Sequence, residues 1–152
     1  MSVPAEVSHG EVRRQLEDAG AFAQAAGLVV NSEQLSATNL RFVVTFKNAQ
    51  GERFCAEFDC RDFPLAPPTI EFVSSDQAER GSARLYPSGF HAMPCVCMRY
   101  NRKAYQERGG PHQDWRLIDW QLPTAQGVGI NSLALIFSDL HAKIRSSSGR
   151  MG

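Results

Sequence analysis

Hydrophobic residues recur along the chain with two different periods, and the change of period divides the chain into elements. Between residues 8 and 27, "SHGEVRRQLEDAGAFAQAAG", the apolar spacing is helical. Ser8 and Glu11 fit a capping box at the start, and Gly27 is expected to end the helix. The apolar face of this predicted helix consists of Val12, Leu16, Ala19 and Ala23.

The period changes to two after the helix, which predicts β-strands. A turn at residues 48–51 separates two alternating runs, and a proline-rich connector then leads to a short strand at residues 69–73. Proline lacks the N–H that a central strand needs, so the connector is expected to lie outside the sheet. The pattern predicts an antiparallel meander of three or four strands with one buried face. The inward positions are Leu40, Phe42, Val44, Phe46, Phe54, Ala56 and Phe58.

Residues 74–120 show poor periodicity, which is typical of a long functional or disordered segment. Helical spacing returns near the end of the chain, and the tail "RSSSGRMG" is expected to be frayed. Together these elements predict a single α+β domain over residues 1–152, with its core at about 8–145 and its helices on one face or the ends of an antiparallel sheet. The apolar stripe of the last helix is Ile130, Leu133, Ile136, Phe137, Leu140 and Ile144.

Composition narrows the classes of function. The chain is 43% hydrophobic and 21% charged, which argues against a disordered or fibrous protein. Sixteen basic residues balance sixteen acidic ones, so no global field attracts nucleic acid or anionic lipid. The sequence shows no apolar run long enough to span a bilayer and no signal-peptide pattern at its start. We therefore expect a cytoplasmic protein without nucleic-acid or membrane partners.

In a reducing compartment, the four cysteines are not expected to form a disulfide framework. Cys55 and Cys60 are interpreted as structural, whereas "PCVCM" at residues 94–98 places Cys95 and Cys97 in an irregular segment. Either thiol could be a nucleophile, and both would point to the same side of an extended chain. A zinc site is the alternative, although a Cys-x-Cys spacing is tighter than that of most structural zinc sites. Its four ligands would be His91, Cys95, Cys97 and His112.

The segment "DFPLAPPTIEF" at residues 62–72 resembles the Tyr/Phe-Pro-x-x-Pro-Pro-x-x-x-Phe segment of ubiquitin-conjugating enzymes. In that family a helix and a four-stranded meander precede this segment, and a His-Pro-Asn tripeptide and a hydrophobic-Cys-Leu motif follow it. Here "YPS" at residues 86–88 and "VCM" at residues 96–98 stand at those two places. Trp120 stands where the family's Trp-x-Pro stretch leads into its crossover helix. The matching residues of the proline segment are Phe63, Pro64, Pro67, Pro68 and Phe72.

The resemblance implies a ubiquitin-conjugating (UBC-like) fold in which Cys97 carries a ubiquitin-like protein as a thioester and passes it to an amine. Ser88 takes the place of the family's asparagine and could donate a hydrogen bond. His91, six residues before Cys97, could act as donor, base or thiolate stabiliser. The implied partners are a ubiquitin-like protein, an adenylating activating enzyme and an acceptor protein. The transferase itself needs no cofactor, because the activating partner consumes the ATP.

The chain also departs from the family pattern. His-Pro-Asn has become Tyr-Pro-Ser, and residues 101–114 are inserted after the cysteine. The insertion is either a flap that contacts a partner or a solvated loop. The family's final helices are expected to be missing. In this respect the chain resembles compact members of the family from bacterial conjugation operons. The loss of His-Pro-Asn keeps a second interpretation open, a catalytically silent UBC-like domain that binds other proteins.

Overall fold

The structure, a computed structural model, describes residues 2–123, 127 and 129–152 of the chain. Two helices and four strands form an α+β domain, as the periodicity predicts. The elements are α1 (Ala5–Ala26), β1 (Val29–Asn31), β2 (Arg41–Lys47), β3 (Arg53–Asp59), β4 (Thr69–Val73) and α2 (Leu133–Arg145).

The four strands form one antiparallel sheet in the order β1-β2-β3-β4, which confirms the predicted meander. Phe42 lies opposite Phe58, and Val44 lies opposite Ala56. All four residues are buried, because successive side chains of a strand point to opposite faces and this face carries the apolar set. α2 covers β2 and packs on α1, so the core lies between the helices and one face of the sheet.

Helix α1 begins three residues earlier than the sequence predicts, and the predicted capping box is wrong. Pro4 stands at the N-cap, without a side-chain cap bond among the described residues. The Ser8 hydroxyl donates instead to the carbonyl of Phe63 at 2.7 Å, and Glu11 accepts from Arg14 on the next turn. Ser8 therefore ties α1 to the proline-rich connector. Gly27 ends the helix in the left-handed conformation, at φ +73°, as predicted.

The proline-rich connector packs under the segment that precedes α2. The indole N–H of Trp120 donates to the carbonyls of Pro64 and Leu65, at 3.1 and 3.0 Å, and Phe63 lies in the core beside the indole. The stretch after Trp120 includes Thr124, Ala125, Gln126 and Val128, which lie outside the described residues. Part of the predicted Trp-x-Pro stretch is therefore without structural description. Met1, at the predicted start of the domain, is also outside the described residues.

Residues 74–120 are all described, and they form neither an α-helix nor a named strand. The segment consists of turns and short 3₁₀ helices, in agreement with its poor periodicity. α2 starts after it at Leu133, where the Ser132 hydroxyl accepts from the N–H of Leu135 at 3.3 Å. Ile130 therefore precedes the helix, while the other five residues of the predicted stripe are buried on it. Neither helix of the described chain is long and apolar enough to cross a bilayer.

The tail is not frayed, so that prediction is wrong. It returns as an extended segment alongside residues 86–88, where the N–H of Ser88 donates to Gly149 at 2.7 Å and the N–H of Met151 donates to Tyr86 at 2.8 Å. The guanidinium of Arg150 lies 4.8 Å from the centroid of the Phe54 ring. Backbone groups of an irregular segment need partners, and this pairing satisfies the N–H of Ser88 and the carbonyl of Tyr86.

Candidate active site

Cys97, His91 and Ser88, the residues singled out in the sequence, line one open pocket of about 380 Å³. One wall of this pocket comes from the irregular segment, and the other comes from the end of α2 and the tail. The remaining lining residues are Gly89, Phe90, Met98, Lys143, Ser146, Ser147 and Ser148.

The loop that carries Cys97 is anchored to the sheet by one buried amide side chain. Asn101 accepts from the N–H of Ile70 on β4 at 2.8 Å and donates to the carbonyl of Val96 at 2.9 Å. Val96 itself is completely buried, whereas Cys97 is half-buried and reaches the pocket. The fixed neighbour holds the thiol at a defined place while leaving it accessible, which a nucleophile requires.

Cys95 and Cys97 differ in burial, although their sulfurs are close enough to influence each other. Cys95 is only 3% exposed, and burial, followed by the neighbouring Cys97 sulfur, raises the pKa of the Cys95 thiol to about 12. A thiol with that pKa stays protonated at neutral pH and is a poor nucleophile. The chain is not extended here, since the N–H of Met98 donates back to the carbonyl of Val96 at 2.9 Å. Of this pair, Cys97 is the accessible thiol.

His91 lies exposed at the rim of the pocket, on a turn closed by Cys95. The two residues exchange backbone hydrogen bonds of 3.2 and 3.1 Å. The Nδ1 atom of His91 accepts from the N–H of Met93 at 3.3 Å. A neutral imidazole that accepts at Nδ1 carries its proton on Nε2, so His91 presents a hydrogen-bond donor to the surroundings.

Ser88 is not the free donor that the resemblance implies. Its Oγ atom lies 2.9 Å from Ser147 Oγ and 3.1 Å from Ser148 Oγ, and it accepts from the N–H of Ser148 at 3.2 Å. Ser88 therefore joins the pocket to the tail. The sequence analysis did not predict this partner, because it expected a frayed tail, and a disordered segment would leave the Ser88 hydroxyl free.

Lys143 is a pocket residue that the sequence analysis missed. It lies in the last turn of α2, where its Nζ atom contacts Asp139 at 2.7 Å. Asp139 also accepts from the Tyr100 hydroxyl at 2.6 Å, and burial followed by this carboxylate raises the pKa of Tyr100. The sequence places Lys143 on the last turn of the helical stripe, next to Ile144, but it does not indicate that this turn lies beside Ser88.

Cys97 also borders a second, smaller pocket of about 220 Å³ on its other side. Trp115 forms one wall of it, with the His112 ring stacked on the indole at 3.6 Å and the Arg99 guanidinium at 5.0 Å. Cys97 thus stands between a polar pocket and an aromatic one. The aromatic pocket is completed by Met98, Tyr100, Trp120, Leu122, Gly129 and Ile130.

The inserted residues 101–114 form neither a detached flap nor a fully solvated loop. Tyr105 is 2% exposed, and the buried guanidinium of Arg102 contacts Asp62 at 3.2 Å and Glu107 at 2.5 Å. A Cβ atom at Gly110 would lie 2.2 Å from the carbonyl carbon of Ala104, so only glycine permits this close approach. The insertion is therefore a folded support for the Trp115 side of the second pocket.

The zinc alternative is not supported by the geometry. Among the described residues, no group of three or more His, Cys, Asp and Glu side chains is placed to hold a metal ion. His112 stacks on Trp115, and all four cysteines are free thiols. Cys60 is completely buried, and burial raises its pKa, in keeping with a structural role.

Compared with protein-family models, with curated proteins and with solved structures, the chain shows no match. The function has to be argued from the residues of the pocket and their surroundings.

Proposed function

We propose that this chain is a UBC-like acyl-carrier transferase that holds a ubiquitin-like protein as a thioester on Cys97 and transfers it to an acceptor amine. One observation carries the proposal. Cys97 is an accessible thiol between two pockets, on a loop whose neighbouring residue is buried and bonded to Asn101. The proposed fold assignment, with the irregular segment as active-site loop and α2 as crossover helix, rests on the proline-rich connector and the order of the elements.

The chemistry requires one accessible thiolate and donors for an oxyanion. The Cys97 thiolate attacks the activated C-terminal carbonyl of the carrier, and the activating group leaves, so that the thioester bond forms. An acceptor amine then attacks this thioester, loses a proton, and expels the Cys97 thiolate as an amide bond forms. The ATP is spent by the adenylating partner, and the transferase needs no cofactor in either step.

Two features of the polar pocket support this chemistry. The exposed His91 offers its Nε2–H group at the rim, and the Lys143 ammonium, which is ion-paired with Asp139, lines the same pocket. A hydrogen-bond donor beside an oxyanion stabilises the charged form. The carrier tail, the adenylating partner and the acceptor protein are the partners that the proposal requires.

Thioester loading tests the proposal directly. The full chain is incubated with ATP, an adenylating enzyme and a ubiquitin-like protein encoded by neighbouring genes, and adducts are separated with and without reductant. The wild type and Cys95→Ala should form a reductant-sensitive adduct, and Cys97→Ala should form none. Cys97→Ser should give an ester that resists thiols, because an oxygen ester exchanges poorly with them. An adduct on Cys97→Ala would exclude Cys97 as the carrier.

A catalytically silent UBC-like binding domain is the second candidate. The observation that favours it is the Ser88 hydroxyl, which is bonded to the tail instead of being free at the place of the family's asparagine. This candidate predicts that the wild type retains the ubiquitin-like protein on a column without forming a thioester. The loading experiment, read by mass spectrometry of the intact protein, separates the two candidates.

A further inference from the structure

Four described serines line the polar pocket, and their hydrogen bonds can be assigned one by one. The Ser146 hydroxyl donates to the carbonyls of Lys143 and Ala142, at 3.0 and 3.4 Å, so its hydrogen faces the end of α2. The buried Ser147 hydroxyl donates to the carbonyl of Gly149 at 3.1 Å. Both hydrogens are directed at backbone acceptors within the tail and α2.

The hydrogen of Ser88 follows from this assignment. A hydroxyl has one hydrogen and two acceptor positions. Either oxygen could donate in the 2.9 Å contact between Ser88 and Ser147, and we assign the hydrogen of Ser147 to Gly149. In this assignment Ser88 donates to Ser147, while its own oxygen accepts from the N–H of Ser148 at 3.2 Å. The hydrogen of Ser88 is then used within the tail and does not face a ligand in the pocket.

Ser148 is different because it is exposed and, among the residues that the structure describes, its hydroxyl contacts only the oxygen of Ser88, at 3.1 Å. Rotation about its Cβ–Oγ bond turns the hydrogen into the pocket, while the backbone N–H of Ser148 keeps its bond to Ser88. The backbone around it is held by the bond from Ser88 N–H to Gly149. The tail thus presents a positioned hydroxyl on the wall opposite His91.

We propose that the Ser148 hydroxyl donates the hydrogen bond that stabilises the oxyanion during acyl transfer at Cys97, and that Ser88 is the positioning residue that holds Ser148. This role rests on the proposed function. A donor whose oxygen is already held on the pocket wall needs only the rotation of its hydroxyl hydrogen when negative charge develops. The C-terminal tail is therefore part of the active site, and Ser88 acts through Ser148.

The experiment is single-turnover discharge of preloaded, full-length protein to a saturating amine, with hydroxylamine as the probe. We expect Ser148→Ala to slow the discharge by about 10²-fold, the typical loss when one oxyanion donor is removed. Ser148→Thr, which keeps a hydroxyl, should recover most of the rate. Ser88→Ala should lower the maximal rate less, with little effect on the amine concentration needed for half of it, and Ser88→Thr should restore it.

Ser75→Ala is the matched control, because Ser75 is an exposed serine that lines neither of the two pockets beside Cys97. It should discharge at the wild-type rate, and thermal unfolding of each variant confirms that the fold is intact. Wild-type discharge by Ser148→Ala, or an equal defect in Ser148→Ala and Ser148→Thr, overturns the proposal while leaving Cys97 as the carrier. If the wild type forms no thioester at all, the proposed function fails as well, so the two failures are distinguishable.

Discussion

The helix–sheet half of the molecule and the irregular segment at residues 74–120 are held together by different forces. In the first, aromatic rings pack across elements. Phe137 of α2 lies 5.4 Å from Phe58 and 6.2 Å from Phe42, measured between ring centroids. In the second, buried polar side chains satisfy a backbone without strand partners. Asn101 bonds Ile70 and Val96, and such bonds fix the loop that carries the candidate nucleophile.

The difference follows from the backbone. A strand pairs its N–H and C=O groups with its neighbours, so its side chains are free to form an apolar core. An irregular segment has few such pairs, and each buried backbone group needs a side-chain partner or another loop. The Tyr105 hydroxyl, for example, donates to the carbonyl of Arg99 at 2.7 Å. In the helix–sheet half, truncation of an apolar side chain should therefore have the largest effect on stability. In the irregular segment, the loss of a single hydrogen-bonding group should have the largest effect.

Phe137→Ala should have the largest effect on stability. It removes the ring that packs edge-on against the stacked Phe42 and Phe58 rings from a fully buried position, and it leaves a cavity. Buried Phe→Ala substitutions cost about 3–5 kcal/mol, and we expect a loss of that size in the free energy of unfolding. Urea denaturation followed by circular dichroism measures it.

Leu135→Ala is the control on the same helix, since Leu135 is 43% exposed. Its loss should stay below about 1 kcal/mol, as for most surface substitutions. Equal losses for Phe137→Ala and Leu135→Ala would mean that α2 does not provide the core of this region, and the comparison between the two regions would fail.

Asn101→Ala should have the next largest effect, although it removes only a polar group. It leaves the buried N–H of Ile70 and the carbonyl of Val96 without their partner. Unsatisfied buried groups cost about 1–3 kcal/mol each, so we expect a loss of about 3 kcal/mol. Because the Cys97 loop loses its anchor, thioester loading should slow as well.

Asn131→Ala is the matched control, because Asn131 is exposed and, within the described part of the chain, its side chain makes one long bond of 3.4 Å, to the carbonyl of Gln121. It should leave both the unfolding midpoint and the loading rate unchanged. If Asn101→Ala shifts the midpoint no more than Asn131→Ala does, the buried amide does not anchor the loop.

The pH dependence of stability should show the smallest effect within any one pH unit, and only above pH 9. Folding raises the pKa of Cys95 from an ordinary value of 9.0 to about 12, mainly through burial. Between these values the folded state binds more protons than the unfolded state, so the free energy of unfolding falls as pH rises. The contribution of Cys95 to the free energy of unfolding is complete below pH 9. Above pH 9 this contribution is lost, by up to about 1.4 kcal/mol per pH unit.

Cys95→Ala should reduce that slope, whereas Cys55→Ala, at a half-buried cysteine on the other face of the sheet, should keep the wild-type slope. Guanidinium titrations at pH 9, 10 and 11 would measure it. An unchanged slope in Cys95→Ala would show that the buried thiol ionises as readily in the folded as in the unfolded state.

The regular elements could be predicted because each carries its own periodic signal. The strand at residues 69–73 has the predicted limits, and Gly27 ends α1 as expected. The capping box was wrong because Ser8 bonds to Phe63, 55 positions away, and no local pattern reports such a partner. Local propensity predicts where helices and strands lie, but the hydrogen-bond partners of the residues near their ends depend on distant segments.

The candidate site could be predicted only in its local part. Ser88, His91 and Cys97 lie within one loop, and the structure places all three around one pocket. Their chemical roles remain predictions. Lys143 and the tail serines were not found, because an antiparallel return of the tail onto residues 86–88 depends on hydrogen bonds between segments about 60 positions apart.

By itself, the sequence determined where helix and strand periods occur, which residues form the core, and where the accessible thiol chemistry is concentrated. These properties follow from side-chain spacing, which is local. Only the tertiary structure decided that Cys95 is buried while Cys97 reaches two pockets, and that the tail completes one of them. Burial and hydrogen-bond partners depend on which distant segments meet, and spacing along the chain does not encode that meeting.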